Sequence, residues 1–429
     1  MSSPADSLTR DQADASAYGA LERFLRERLF GQLDQLSGGT VLVSDALGER
    51  LLGKADGRDP LNVQLRVRDA GFYRQIAGNG SVGAGESYMD GEWDCDDLVA
   101  LVRLLVRNRG LLDGMESGLA RLGGWAMRAL HAFKRNTRAG SRRNIAAHYD
   151  LGNDLFRLFL DENLMYSSAI FADEAESLEA ASRRKLDRIC RKLDLRAGDH
   201  LVEIGTGWGG MALHAAKHYG CRVTTTTISQ EQHALARERI AAAGLQDKVT
   251  VLLEDYRDLR GRYDKLVSIE MIEAIGHQYL DTYFGKCASL LQDDGLALIQ
   301  AITIEDHRYE QALHSVDFIK RHVFPGSFIP CVSAMTQSAA DAGKLRLVDL
   351  EDFGSSYAST LRHWRHRFFA NIEQVRQLGY DERFVRLWEF YLCYCEGGFS
   401  ERSISAVHLL LARPGNRRAQ YLPEPGVFA

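Results

Sequence analysis

A doubly wound, Rossmann-like α/β domain preceded by a small N-terminal α+β domain is the fold class that this 429-residue sequence predicts. Three observations predict it. From about residue 178, apolar strand-like runs alternate with helix-length segments, the pattern of a mostly parallel sheet. The stretch Leu201-Val-Glu-Ile-Gly-Thr-Gly-Trp-Gly-Gly210 passes from a short apolar strand through a glycine-punctuated turn into a helix, as nucleotide-binding βα turns do. Nearer the N-terminus, short alternating segments separated by Gly and Asp turns form a group of their own.

Taken in order, residues 17–37 read as an amphipathic helix ending near Gly38-Gly39. Val41–Ser44, Arg50–Leu52 and Val63–Val67 read as strands, and Asp97 can cap a helix through Leu98–Val106. These elements set an N-terminal α+β domain over 1–116. Residues 117–143 form a basic linker containing Arg121, Arg128, Lys134, Arg135, Arg138, Arg142 and Arg143, with Trp125, Met127, Leu130 and Phe133 interleaved and no acidic residue. Such a segment is a solvated linker helix or a surface for anionic lipid head groups, where each basic residue adds about 1 kcal/mol; nucleic acid is a third reading, with no support elsewhere in the chain. The remaining domain, 144–429, carries helix 178–193, strand 200–204, helix 211–219, strand 222–228, helix 230–243 and strand 249–253. Strand 264–270, helix 279–291 and strand 295–302 follow, with later strand-like pieces at 345–353 and 405–412.

Composition narrows the function classes. With 45% hydrophobic and 26% charged residues the chain is an ordinary globular sequence, and a net charge of −5 gives no case for nucleic acid. The seven cysteines are scattered without C-x-x-C spacing, so neither a zinc site nor a disulfide framework is expected, and the metal expectation is none. The N-terminus lacks the basic and apolar regions of a signal peptide, and the apolar run Leu98–Val106, interrupted by Arg103, is too short to span a bilayer. The expectation is a soluble cytoplasmic protein that can still work at a membrane surface.

The glycine loop leaves open which nucleotide is bound. A dinucleotide fold places an Asp or Glu about 20 residues after the loop. Thr224-Thr-Thr-Thr-Ile-Ser229 occupies that place without a carboxylate, and no Lys-Ser or Lys-Thr pair follows the loop to make a P-loop. S-adenosylmethionine remains, a cation without phosphates that needs backbone contacts, ribose partners and neighbours for its sulfonium. Ser229-x-x-Gln232 reads as a capping box, with Gln232 shared with the ligand, and Asp255 offers a carboxylate for an adenine amino group.

His148-Tyr-Asp-Leu-Gly-Asn-Asp154, Met165-Tyr-Ser-Ser-Ala169, the glycine loop, Ile272-Glu-Ala-Ile-Gly-His277, Phe324-Pro-Gly-Ser327, Tyr357-Ala-Ser-Thr-Leu361 with Trp364, and Tyr394-Cys-Glu-Gly-Gly-Phe399 together resemble the cyclopropane-fatty-acid synthase family. Gly80–Gly91 is similar to the extra N-terminal domain of its longer bacterial members. The resemblance implies a class I methyltransferase sheet and transfer of a methyl group from S-adenosylmethionine to the double bond of an unsaturated phospholipid acyl chain. The alkene attacks the methyl group, and proton loss from that methyl closes a cyclopropane ring. Such a site excludes water, stabilises a cation and supplies a base. By matching motifs, Tyr166, Ser167, Glu203, Gly205, Gly207, Gly209, Thr227, Ile228, Gln232, Asp255 and Tyr256 are implied as cofactor contacts. Glu273, Ile302 and Tyr357 fall where the family holds a bicarbonate ion, and Cys395 matches a cysteine associated with its active site.

Two departures stand out. Ser168 replaces a common cysteine and Gln300 replaces a histidine, both in the bicarbonate cage. Ser and Gln still donate hydrogen bonds to an anion, but Gln carries no proton as His does. An enzyme making methyl- or methylene-branched chains, or methylating a modified fatty acid, is therefore the alternative within the class. A non-catalytic lipid-binding protein and a nicotinamide oxidoreductase are the readings outside it. The implied partners are unsaturated phospholipid acyl chains at the inner face of the membrane, with a homodimer admitted as an assembly.

Overall fold

The computed structural model describes residues 18–111 and 152–417. The basic segment 117–143 and most of His148–Asp154 lie outside the described residues. Contacts divide the chain into two compact units. One comprises Met1–Arg135, Glu310–Gly326 and Tyr357–Ile404; the other comprises Asn136–Tyr309, Ser327–Ser356 and Ser405–Ala429. These units are interleaved along the chain, whereas composition divides it into consecutive pieces.

The first unit begins with helix α1 (Ala20–Leu33), followed by β1 (Gly39–Asp45), β2 (Gly48–Lys54) and β3 (Leu61–Val67). Helix α2 (Gly71–Met89), β4 (Trp93–Cys95) and helix α3 (Leu98–Arg107) complete the N-terminal part. The sheet order is β2-β1-β3-β4, and β1 pairs in parallel with β3. Every second residue of β3 is buried, the alternation read from Val63–Val67. The Asp97 cap forms as expected, its carboxylate accepting from Ala100 N at 2.9 Å. Later in the chain a long helix, Glu382–Ser400, joins this unit. Gly397 on it lies where a Cβ would meet Val102 Cγ1 at 2.6 Å, so glycine permits close approach to α3. Arg103 and Arg107 of α3 both pair with Glu401. The Gly80–Gly91 motif covers the second half of α2, which breaks at Gly80 (φ 55°, ψ −130°), and the turn at Asp90 and Gly91 that follows it.

In the second unit, helices α4 (Asn153–Phe159) and α5 (Leu178–Leu193) precede β5 (His200–Ile204). Then come α6 (Gly210–His214), β6 (Arg222–Thr227), α7 (Gln230–Ala242), β7 (Val249–Leu253), β8 (Tyr263–Ile269), α8 (Leu280–Leu290) and β9 (Leu291–Ile304). Strands β10 (Arg346–Asp352) and β11 (Ile404–Ala412) close the sheet in the order β10-β11-β9-β8-β5-β6-β7. Strands β5 to β9 are parallel, while β10 runs antiparallel to β11. The chain moves from β5 to β6 and β7 on one side, then returns to β8 on the other. The reversal creates a switch point between β5 and β8, where ligands of such sheets bind.

Helix α5 shows how the sequence builds this layer. Leu186, Ile189 and Leu193 recur at helical spacing and are buried in one cluster with Leu201 of β5 and Met211 and Ala212 of α6, each contributing about 1.5–3 kcal/mol. Ser177 caps its start, accepting from Ala180 N at 3.3 Å, and Asp194 ends it in the left-handed region. The expected helix 211–219 is shorter as an α-helix, because α6 passes into a π turn over Ala215–Tyr219.

Candidate active site

At the carboxyl end of β5 the glycine loop adopts the backbone that its composition requires. Gly205, Gly207 and Gly209 have φ of 100°, 51° and 85°. A Cβ on Gly207 would meet nothing within 4 Å, so the peptide there is open to close approach. Gly210 has the opposite surroundings, since a Cβ would meet Met165 Sδ at 2.5 Å and Asn163 O at 2.6 Å. The segment 161–168 therefore lies directly against the loop. Asp161 shapes it by accepting from Asn163 N (3.0 Å) and Met165 N (2.9 Å). Arg239 on α7 clamps it from outside, donating to Trp208 O (2.6 Å), Asn163 O (3.1 Å) and Glu162 O (3.1 Å). Tyr166 packs edge-on to Phe156 and Phe159, with ring centroids 5.1 and 6.4 Å away.

Buried polar groups line the neighbouring strand ends. Glu203 accepts from Thr225 Oγ1 at 2.6 Å, and burial raises its carboxyl to about 8. Thr227 Oγ1 donates to Gln232 Oε1 at 2.8 Å. Ser229 does cap α7, accepting from Gln232 N, but the box is not reciprocal. The side chain of Gln232 turns to Thr227 instead of the Ser229 N–H, which itself donates to Thr227 Oγ1. Half-buried Ile228 lies between these groups in the chain. Asp255 follows β7 and is gripped by Arg257 through Nε at 2.8 Å and Nη2 at 2.6 Å. Tyr256 beside it is half-buried, its ring edge-on to Tyr283.

A second cluster lies beyond β8. Gln300 on β9 is fully buried, and its Nε2 donates to Glu270 Oε1 at 2.8 Å while its Oε1 meets His408 Nε2 at 3.0 Å. Ser168 N donates to the same Glu270 oxygen at 2.9 Å, and the Ser168 hydroxyl donates to Ala169 O. Both departures from the family pattern are thus absorbed into one network centred on Glu270, a residue in the left-handed region at φ 47°. Burial holds His408 well below the ordinary histidine range, so the imidazole is neutral.

Glu273, in a short 3-10 turn after β8, accepts from Ile302 N at 2.6 Å through Oε1. Its Oε2 is out of solvent's reach and has no hydrogen-bond partner among the described residues. Burial first, and the Glu270 carboxylate second, raise Glu273 to about 8. A carboxylate with one oxygen anchored and the other free at such a pKa suits a general base.

The structure gathers Tyr166–Ser168, Glu203–Gly209, Thr227–Gln232, Asp255–Tyr256, Glu273, Gln300 and Ile302 into the second unit, at or just after the carboxyl ends of β5 to β9. Tyr357 and Cys395 belong to the first. There, Tyr357 stacks on Phe399 at 4.3 Å and meets Trp364 edge-on. The Cys395 thiol is raised far above its ordinary value by burial, and Asp317 adds to this, so it is held protonated. Sequence reasoning missed Lys185, Glu270, Arg239 and His408. Lys185 had a signal, since it occupies the apolar stripe of α5 between Ser182 and Ile189; Arg239 and His408 had none.

The loop backbone and this donor set fit a ligand with a nucleoside and a zwitterionic end, and comparison with known proteins identifies the group. The sequence model of the family described as mycolic acid cyclopropane synthetase matches residues 136–409. The chain belongs to this family. Among relatives of this cyclopropane synthetase family member, the tuberculostearic acid methyltransferase UfaA1 of Mycobacterium tuberculosis is 39% identical over 85% of this chain and 86% of its own. The cyclopropane-fatty-acyl-phospholipid synthase of Escherichia coli is 36% identical over 81% of this chain and 87% of its own. The mycolic acid cyclopropane synthase CmaA1, solved with SAH and CTAB, superposes with a TM-score of 0.59 at 29% identity, covering 63% of this chain and 98% of that one. This member of the family is an S-adenosylmethionine-dependent methyltransferase of the cyclopropane-synthase type, with a class I methyltransferase sheet. Among the described residues no helix is long and apolar enough to cross a membrane.

Proposed function

We propose that this enzyme adds one carbon to the double bond of an unsaturated acyl chain in a membrane phospholipid, forming a cyclopropane fatty acid. S-adenosylmethionine, when bound, supplies the electrophilic methyl group. The glycine loop with Glu203, Ser167, Gln232 and Asp255 would hold it. The single observation that carries the reading is Glu273. A methylated alkene is a carbocation and must lose a proton, and the free Oε2 of a buried carboxylate with a raised pKa can take one. The fixed Ile302 N–H orients the other oxygen and keeps the carboxylate aimed. A bicarbonate ion would serve as an intervening base between the cation and Glu273. The enzyme would act as a peripheral protein on the cytoplasmic face of the membrane.

A second reading has specific support. Gln300 has no proton to give, its amide is committed to Glu270 and His408, and one relative at 39% identity is named for tuberculostearic acid. Proton loss from the methyl-bearing chain carbon leaves a methyl-branched alkene instead of a ring. A 1,2-hydride shift that moves the cation to that carbon, followed by proton loss from the methyl, leaves a methylene branch. Lipid mass spectrometry of cells expressing the protein tests both, since each adds one CH2 to unsaturated chains. Ring-proton NMR signals mark the cyclopropane, and alkene or methyl signals mark the branch. An unchanged acyl profile with folded, cofactor-bound protein sinks both. For the base, Glu273→Gln is expected to lower turnover strongly with little change in cofactor affinity. Near-normal turnover in that variant removes Glu273 from the mechanism.

A further inference from the structure

Lys185 is a charged side chain with no exposure to solvent, in the middle of α5. A buried ammonium is costly unless it is hydrogen-bonded and balanced by opposite charge. Its Nζ donates to Ser167 Oγ at 2.9 Å. The carboxylates of Glu270, Asp161 and Glu203 act on it in that order. Burial outweighs them and lowers the group to about 8, which leaves it mostly protonated at neutral pH. All three carboxylates stand on segments that border the glycine loop or the Glu273 cluster.

The bond to Ser167 has a direction. An ammonium carries three donors and no acceptor, so Ser167 Oγ can only accept from it. The hydroxyl proton of Ser167 must then point elsewhere, and among the described residues its Oγ takes part in no other hydrogen bond. Ser167 is thereby presented as a donor, backed by positive charge. Glu203, at the head of the glycine loop, is a buried carboxyl whose oxygens accept hydrogen bonds, as Oε2 does from Thr225 Oγ1. The methionyl end of the cofactor carries a carboxylate and an ammonium, which match such a pair.

We infer that Lys185 is a positioning residue for the cofactor, directing the Ser167 hydroxyl as a donor to the methionyl carboxylate and adding a buried positive charge behind it. The inference rests on the reading of Ser167 as a cofactor contact. Lys185 itself does not touch the ligand in this arrangement.

Calorimetry on the full chain tests it with two ligands. S-adenosylhomocysteine carries the carboxylate; 5′-methylthioadenosine shares the nucleoside and thioether but lacks the amino-acid end. Lys185→Met keeps an unbranched stem and removes the charge, and Ser167→Ala removes the relay. Each is expected to weaken S-adenosylhomocysteine by about tenfold to a hundredfold, the range of a charge-assisted hydrogen bond, while 5′-methylthioadenosine binds as before. The double variant is expected to be no weaker than Lys185→Met, because the two act as one unit. Equal loss for both ligands overturns the inference and assigns Lys185 to folding alone. If Ser167→Ala leaves S-adenosylhomocysteine unaffected, the placement of Ser167 at the cofactor fails. If Ser167→Ala weakens it and Lys185→Met does not, only the role of Lys185 fails. Should Lys185→Met not fold, Lys185→Gln retains a neutral donor to Ser167. Its expected loss is smaller and again confined to the carboxylate-bearing ligand, and the absence of any ligand-selective loss refutes the inference.

Discussion

Replacing Glu273 by Gln probes the buried carboxylate without touching its shape. In the folded protein this group keeps its proton up to about 8, against an ordinary value of 4.5. Between those values the native state holds a proton that the unfolded chain has released. Stability contributed by the neutral acid is therefore complete below 4.5 and lost as pH rises through 8. At 1.36 kcal/mol per pKa unit the full interval amounts to about 5 kcal/mol, an upper bound for a half-buried residue. Gln does not titrate, and its Oε1 can still accept from Ile302 N. Its Nε2 takes the place of Oε2, where a donor finds no partner, a penalty of about 1–3 kcal/mol that does not vary with pH. Guanidinium unfolding of both proteins at pH 5.5 and pH 9 isolates the titration. Glu203 and Lys185 titrate in the same range but are common to both chains and cancel. The difference in unfolding free energy is expected to move in favour of the Gln variant by about 3 kcal/mol between the two pH values. An equal difference at both, with unchanged m values, refutes the buried, proton-holding state of Glu273.

Two other substitutions test the architecture around the loop. Arg239→Met strips three backbone carbonyls of their donor, and is expected to cost about 3 kcal/mol in guanidinium unfolding and to weaken S-adenosylhomocysteine binding in calorimetry; unchanged values for both would show that the clamp is not needed. Gln300→Leu takes one donor from Glu270 Oε1, which keeps Ser168 N, and removes the partner of His408 Nε2; a loss of about 1–3 kcal/mol in unfolding free energy is expected, with a loss below about 0.5 kcal/mol counting against the network.

Much of the second unit was legible because its signals are local. Strand β5 and helix α5 match the expected spans 200–204 and 178–193, since apolar periodicity and a Ser cap act within one segment. The glycine loop was legible for the same reason, as left-handed backbone at Gly205, Gly207 and Gly209 leaves little choice of residue. Boundaries set by packing were not. β9 runs from Leu291 to Ile304, beyond the expected 295–302: Leu291 pairs with Tyr263 of β8 and Ile304 N donates to Pro330 O, partners remote in the sequence. Gln232 shows the limit within a motif: the cap is local and was predictable, while the turn of its side chain to Thr227 depends on where β6 ends.

By itself, the amino-acid sequence determined the parallel sheet, the glycine loop and the residue types available for methyl transfer, because each follows from chemistry within a few neighbours. Only the tertiary structure decided which of those groups carry charge and which are spent on each other. Ser168 and Gln300, separate departures along the chain, become members of one network around Glu270. Glu273 becomes suited to a base because burial raises the proton affinity of its carboxylate and leaves Oε2 without a partner among the described residues. Lys185, an unremarked residue of an amphipathic helix, becomes the buried cation behind Ser167. The Gln300 network joins groups more than a hundred positions apart, Ser168 and His408, and the Lys185–Ser167 bond joins two separate elements, so no pattern within one segment encodes them.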